Sequence, residues 1–304
     1  MATRHMDKRV EAQVAIGLPV YNGERYLRAT VEGLLSQTYG DFALVIVDNA
    51  STDATENIGR ALAAADPRIH YVRNAANIGV FRNYDRAFEL VRCRYFKWSS
   101  SNDYCAPRYL EACVSELEAD TSVALAYPRT RLFAEDLAAA EDYPFDPDLR
   151  DADPVARMAR LFRELRLNNA FNGVFRADWL AETGMNGEYQ GSDTVVVAEM
   201  ALRGHVALID EPLFYRRMTP AAAGAARDGV ALRNFFAGTS RDVQSTPVTD
   251  SNRQLLRAIA AAPLSAGVRW RAWWYIAHRY WWTKKDLWAE ALSTDAQPNP
   301  ASKA

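Results

Sequence analysis

A chain of 304 residues, 49% hydrophobic and with a formal net charge of −2, can bury the core of one large or two small domains. The near-neutral balance excludes nucleic acid as the main partner, because phosphate-neutralising proteins carry a basic surplus. Cys93, Cys105 and Cys113 form no CxxC or His-paired spacing, which points to free thiols in a reducing compartment and away from a zinc site. The opening MATRHMDKRV is polar and reads as a flexible lead. No charged-then-apolar signal precedes the first strand, and no apolar run reaches the ~20 residues needed to span a bilayer. A soluble, cytoplasmic protein is the expectation.

Strand and helix signals alternate through the first half. Val14–Leu18 is an apolar strand that ends at Pro19, and 24–37 places Leu27, Val31, Leu34 and Leu35 on one helical face. Ala43–Val47 is a buried strand halted by Asp48-Asn49; Ser51, Thr52 and Asp53 then offer caps to a helix carrying Ile58 and Leu62. Ile69–Val72 is a third strand, Gly79–Val91 a helix and Arg94–Trp98 a fourth strand. Pro107–Glu118 is a helix with proline in its first turn. This is the βαβ signature of an α/β fold with a Rossmann-like, mostly parallel sheet flanked by helices.

Beyond the fourth helix, 135–153 is acidic and proline-containing and reads as a surface loop. A helix over 154–167, irregular structure over 168–176, a helix over 194–203 and a strand over 206–209 follow. Residues 220–252, rich in Ala, Gly, Ser and Thr, read as mobile, and the tail after Ser293 as disordered. In parallel sheets ligands bind outside the carboxyl ends of the strands. The polar clusters at 21–24, 48–53 and 99–103 all fall at those ends.

Five segments in order resemble family 2 glycosyltransferases of the GT-A fold. LPVYNGERYL (18–27) is similar to the family's first strand and turn, VDNASTDAT (47–55) to its VDDGSTDGT segment and NIGVFRN (77–83) to NxGxxxxRN. FKWSSSNDYCAP (96–107) stands where the family has its DxD motif, and 191–217 resembles the xED helix and following strand. The resemblance implies transfer of a sugar from a nucleotide diphosphate donor to an acceptor hydroxyl. It also implies a nucleotide-sugar-binding and catalytic domain over 11–217, followed by a helical, Trp-rich extension (218–293) and a flexible tail (294–304).

The donor-binding set the resemblance implies is Pro19, Tyr21, Glu24, Asp48, Arg82, Asn102 and Asp103. Tyr21 stacks on the base or packs in the core. Asp48 accepts a hydrogen bond from the base or caps the next helix, for which Ser51, Thr52 and Asp53 are already available. Arg82 contacts base or diphosphate, or is an exposed helix arginine. Asn77 and Gly79 shape a turn, and 172–176 borders the donor sugar.

Where the family's carboxylates hold a divalent cation, this chain reads Ser100-Ser101-Asn102-Asp103, with Asp103 the one charged residue. Thr219 stands where a histidine ligand is often found. Mg²⁺ or Mn²⁺ held weakly through Asp103 and the substrate phosphates, and metal-free catalysis, both remain open. In the second case Arg216 and Arg217 would meet the charge of the leaving diphosphate. Asp193 matches the xED carboxylate, which in inverting members takes the acceptor proton; the same position also suits a helix N-cap.

Six of the eight tryptophans lie in 268–288. Trp270, Trp273, Trp274, Ala277, Tyr280, Trp281 and Trp288 fall on one helical face, interrupted by Lys284, with Arg271, Arg279, Lys285 and Asp286 opposite. That face could pack on the catalytic domain, join two copies, lie on a membrane or form an acceptor platform. The competing functions are a nucleotide-sugar-binding protein without turnover, suggested by the altered DxD, and a nucleotidyltransferase. The latter needs a Gly- and Arg/Lys-rich first loop that LPVYNGERYL lacks.

Overall fold

A computed structural model describes residues 9–218 and 247–282, without the side chains of Pro247, Tyr280 and Trp282. Residues 1–8 of the expected lead, Thr219, Lys284, Lys285, Asp286, Trp288 and the tail lie outside the described residues, whereas Val10 of that lead already belongs to the first strand. Among the described residues, no helix is long and apolar enough to cross a membrane.

Among the described residues nine strands make one sheet. In chain order they are β1 (Val10–Val20), β2 (Phe42–Asp48), β3 (Ile69–Arg73), β4 (Val91–Trp98), β5 (Tyr104–Cys105), β6 (Val123–Phe133), β7 (Glu141–Asp142), β8 (Val174–Arg176) and β9 (His205–Arg217). The spatial order is β3-β2-β1-β4-β8-β6-β9-β5, with β7 paired to β6. The first four are mutually parallel, and β6 runs parallel to β9. β8 runs antiparallel to both β4 and β6, and so joins the two parallel blocks.

The helices are α1 (Leu27–Leu35), α2 (Thr55–Ala65), α3 (Val80–Glu89), α4 (Tyr109–Ala119), α5 (Pro154–Glu164), α6 (Ala177–Ala181), α7 (Ser192–Arg203), α8 (Pro247–Ala261) and α9 (Ala266–Trp282). Strand alternation sends side chains to two cores. Leu44 and Ile46 join Leu27, Val31 and Leu34 of α1 and Leu110 and Leu117 of α4. Val45 and Val47 join Ala87 of α3, Leu161 of α5, Met200 of α7, Leu255 of α8 and Ile276 of α9 on the other face. Each such fully buried side chain contributes about 1.5–3 kcal/mol through the water it sheds. The strand order reverses between β1 and β4, and the crevice this opens lies at their carboxyl ends.

Several expectations need correction. Pro19 does not end the first strand, which runs on to Val20 in register with Asp48. Val91 begins β4 and is not the end of α3. The acidic 135–153 stretch is not simply surface: Tyr143, Asp146 and Leu149 are buried. Asp146 is accommodated because its oxygens accept from Asn169 Nδ2 and Thr130 N, both at 2.8 Å. Residues 168–176 form a short 3-10 turn and then β8. Residues 247–252 belong to α8, the first of two helices packed against α5 and α7. The Trp-bearing face of α9 is not its docking face, because Ala272 and Ile276 are the residues that enter the core.

Candidate active site

The turns after β1 and β2 are tied to one another. Asn22, at φ 50°, donates its backbone N–H to Ser51 Oγ and accepts from Thr52 N through its side chain. Gly23 N donates to Thr55 Oγ1, Glu24 N to Asp53, and Ala54 N to Glu24 Oε2. Glu24 therefore braces the start of α2. Asp53 also accepts from Thr55 N in the turn before α2, whose N-cap position is Ala54 and carries no side-chain cap. Tyr21 stands clear of this weave, 49% exposed at the mouth of the crevice.

Asp48 is the anchor of these turns. Its Oδ1 accepts from the Ser51 backbone and hydroxyl (2.8 and 2.5 Å), and its Oδ2 from Tyr71 OH and Arg73 (2.5 and 2.7 Å). Burial alone would raise its pKa, but the Ser51, Tyr71 and Arg73 donors outweigh it and hold the carboxyl below the usual range. A base could reach this carboxylate only by displacing one of those donors. The neighbouring Asn49 is likewise engaged, with Asn74, Asn77, Ile78 and Gly79. Arg82 is exposed on α3 and pairs with Glu188 at 3.1 Å.

Beyond β4 the chain enters the Ser99–Asp103 turn. The Asp103 carboxyl is buried, and burial raises its pKa despite Arg216, the Arg217 amide, Lys97 and Ser100. Its Oδ1 accepts from Arg217 N at 2.9 Å, and the Asn102 carbonyl accepts from Arg217 Nε at 3.0 Å. Lys97, fully buried, donates to the Asn172 carbonyl at 2.5 Å and lies over the Tyr109 ring.

Strand alternation separates Arg216 from Arg217. Arg217 is sandwiched between the Tyr26 and Phe133 rings at 4.2 and 4.4 Å and pairs with Glu135. Its guanidinium is thereby held in a structural stack. Arg216 instead donates to Asn169 Oδ1 at 2.9 Å.

Asp193 stands in the first turn of α7, which Gly191 opens in a left-handed conformation (φ 85°). Burial raises its pKa, with Asn168, the Thr194 amide and Arg216 opposing. Asn168 Nδ2 donates to its Oδ2 at 2.9 Å. Neighbouring asparagines thus hold the two charged groups, Asn168 the carboxylate of Asp193 and Asn169 the guanidinium of Arg216. Tyr84 of α3 senses the charges of Asp103, Asp193 and Arg216, so the three share one electrostatic neighbourhood. Sequence reasoning missed Asn168, Asn169, Tyr84 and Lys97. Only the doubled asparagine in NNAFNGVFR offered a signal, and nothing in it marks which atoms the amides hold.

Among the described residues, Asp103 is the one carboxylate of its turn that could face a cation. Hard cations want several oxygen ligands, whereas Asp103 has one oxygen on a backbone amide and feels the positive charge of Arg216. Among the described residues no three His, Cys, Asp or Glu side chains converge as a metal cage.

The sequence pattern of Glycosyl transferase family 2 matches residues 15–180. The chain belongs to that family. Chondroitin synthase of Escherichia coli is 33% identical over 118 residues, which are 39% of this chain and 17% of that protein. This family 2 chain therefore matches a small part of that relative's length. The crystal structure of S. aureus TarS 1-349 in complex with UDP-GlcNAc superposes with a TM-score of 0.65 at 13% identity, covering 88% of this chain and 72% of that one. The mannosyltransferase PcManGT from Pyrobaculum calidifontis, in complex with GDP-Man and Mn²⁺, gives 0.53 at 16% identity and covers 99% and 81%. These likenesses establish the GT-A fold.

Proposed function

We propose that the protein transfers a sugar from a nucleotide diphosphate donor to an acceptor hydroxyl with inversion, Asp193 being the general base. The observation that carries this reading is the Asn168–Asn169 pair, which holds Asp193 and Arg216 from adjacent residues. The acceptor oxygen attacks the anomeric carbon as the bond to the diphosphate breaks. The acceptor proton passes to Asp193, and the bonding electrons leave with the nucleoside diphosphate. Burial that raises the carboxyl's pKa suits it to take that proton. Arg216 meets the charge on the leaving group, and the exposed ring of Tyr21 offers a surface on which the base stacks. The turns braced by Glu24 and Asp48 position Tyr21 and the start of α2. We further propose turnover without a tightly held Mg²⁺ or Mn²⁺. The family membership and the nucleotide sugars in the complexes of TarS and PcManGT support the choice of donor class.

The test is transfer and donor hydrolysis with a panel of UDP-, GDP- and dTDP-sugars, with and without EDTA. Asp193→Asn is expected to lower kcat about 10²–10⁴-fold while leaving donor binding intact. Unchanged turnover in that variant overturns the base assignment. Binding of a donor with no turnover across the panel favours a nucleotide-sugar-binding protein, and loss of activity in EDTA overturns metal independence.

A further inference from the structure

α9 turns its apolar residues two ways. On the inner side Ala272 and Ile276 are buried, and Arg279 lies over the Phe162 ring at 4.3 Å and donates to Asn252. Arg271 holds both oxygens of Asp153, at 2.7 and 3.0 Å. On the outer side Trp270, Trp273, Trp274 and Trp281 are 66, 37, 60 and 65% exposed. Their spacing follows the helical repeat and forms one stripe.

The make-up of the stripe selects its occupant. Positions 270, 273, 274, 277, 278 and 281 are Trp, Trp, Trp, Ala, His and Trp, with no Leu, Ile, Val, Met or Phe. Protein-packing faces draw on aliphatic as well as aromatic side chains, as the inner face of this protein's own α4 does with Tyr109, Leu110, Val114 and Leu117. Indole, with a wide apolar ring and one N–H donor, instead concentrates at the boundary between lipid headgroups and acyl chains. Charge points the same way. Residues 247–282 contain five Arg against one Asp, in a chain whose net charge is −2, although Arg253 and Arg271 are paired with Asp250 and Asp153. Such segregation favours an anionic surface.

We propose that the outer face of α9 docks on a bilayer containing anionic phospholipid, with the indoles seated at headgroup depth and the helix parallel to the surface. The full chain is tested by flotation with vesicles of phosphatidylcholine alone or mixed with phosphatidylglycerol. It is expected to float with the mixed vesicles, and far less with phosphatidylcholine alone or in high salt. The Trp270→Ser/Trp274→Ser variant changes two exposed rings, and circular dichroism checks that its fold is retained. Its partitioning should fall on the order of tenfold. Absence of flotation with mixed vesicles, or equal flotation of the double variant, overturns the proposal. So does light scattering in which the unaltered protein is dimeric, the variant monomeric and neither floats, since the stripe then joins two copies.

Discussion

Carboxyl groups at the same edge of the sheet are handled in opposite ways. At the end of β2, Asp48 has four donors on its two oxygens and a depressed pKa. Across the crevice, Asp103 and Asp193 are raised because burial prevails over the donors they receive. Beside Asp193 the buried Asn168 Oδ1 and Ser192 Oγ have no hydrogen-bond partner. Asp48 is the most fully buried of the three, so the donors make the difference: a saturated carboxylate is a scaffold, whereas one with few donors is left able to take a proton.

The largest test of this contrast is Asp48→Ala. It should destabilise the fold by about 3–4 kcal/mol, because Tyr71 and Arg73 lose their shared acceptor. Urea denaturation measures this, and a loss under 1 kcal/mol would make Asp48 a replaceable strut (about that size being a single exposed pair). Since its folded-state pKa is depressed, its contribution is present above the unfolded value of about 3.9 and disappears as pH falls through the lower folded one.

The two adjacent arginines sharpen the contrast within one strand. Arg216→Ala should lower kcat on the order of 10²-fold with little change in melting temperature. Arg217→Ala should instead cost about 2 kcal/mol of stability, as Glu135 and the Asn102 and Ala134 carbonyls lose their donor and the Tyr26 and Phe133 rings the guanidinium between them. Equal effects on turnover and melting in both variants would erase the distinction.

The smallest effect belongs to Asp85 of α3, which accepts from Asn186 N and Nδ2 in the loop before α7. Burial pushes its carboxyl up to about 6; Glu89 adds to this, while the Asn186 donors and Arg82 oppose it. A raised folded-state value means that stability is fully present below the unfolded pKa and declines as pH rises through about 6. Asp85→Asn should remove this decline, on the order of 1–2 kcal/mol between about pH 4 and pH 7. Identical slopes in melts of the two proteins would show that Asp85 is not the group responsible.

The sheet was legible where apolar runs ended in polar turns, as at Val47-Asp48 and Trp98-Ser99. β6 escaped notice because VALAYPRTRLF carries a proline and two arginines and lacks clean alternation, although the fold buries most of it. β8 is only three residues long, too short for any period to show. Asp193 was visible as a carboxylate opening a helix, and Asp103 as the charged residue of its turn. The Arg216/Arg217 division depends on which face of β9 each residue takes, and that is fixed only by pairing with β6. The asparagine pair was illegible because amides can serve almost any partner. Of the expected Trp stripe, Trp270, Trp273, Trp274 and Trp281 share an exposed face, but which side of α9 meets the protein is settled by Ala272 and Ile276, the small and apolar residues between the rings.

One peptide bond joins Asn168 to Asn169, and through them Asp193 on a helix is linked to Arg216 on a strand. The two charged groups cannot drift apart independently, since any shift of the turn moves both amides together. Inserting or deleting a single residue there would exchange or break both partnerships at once. Substitution can tune this turn, but its length is closed to variation.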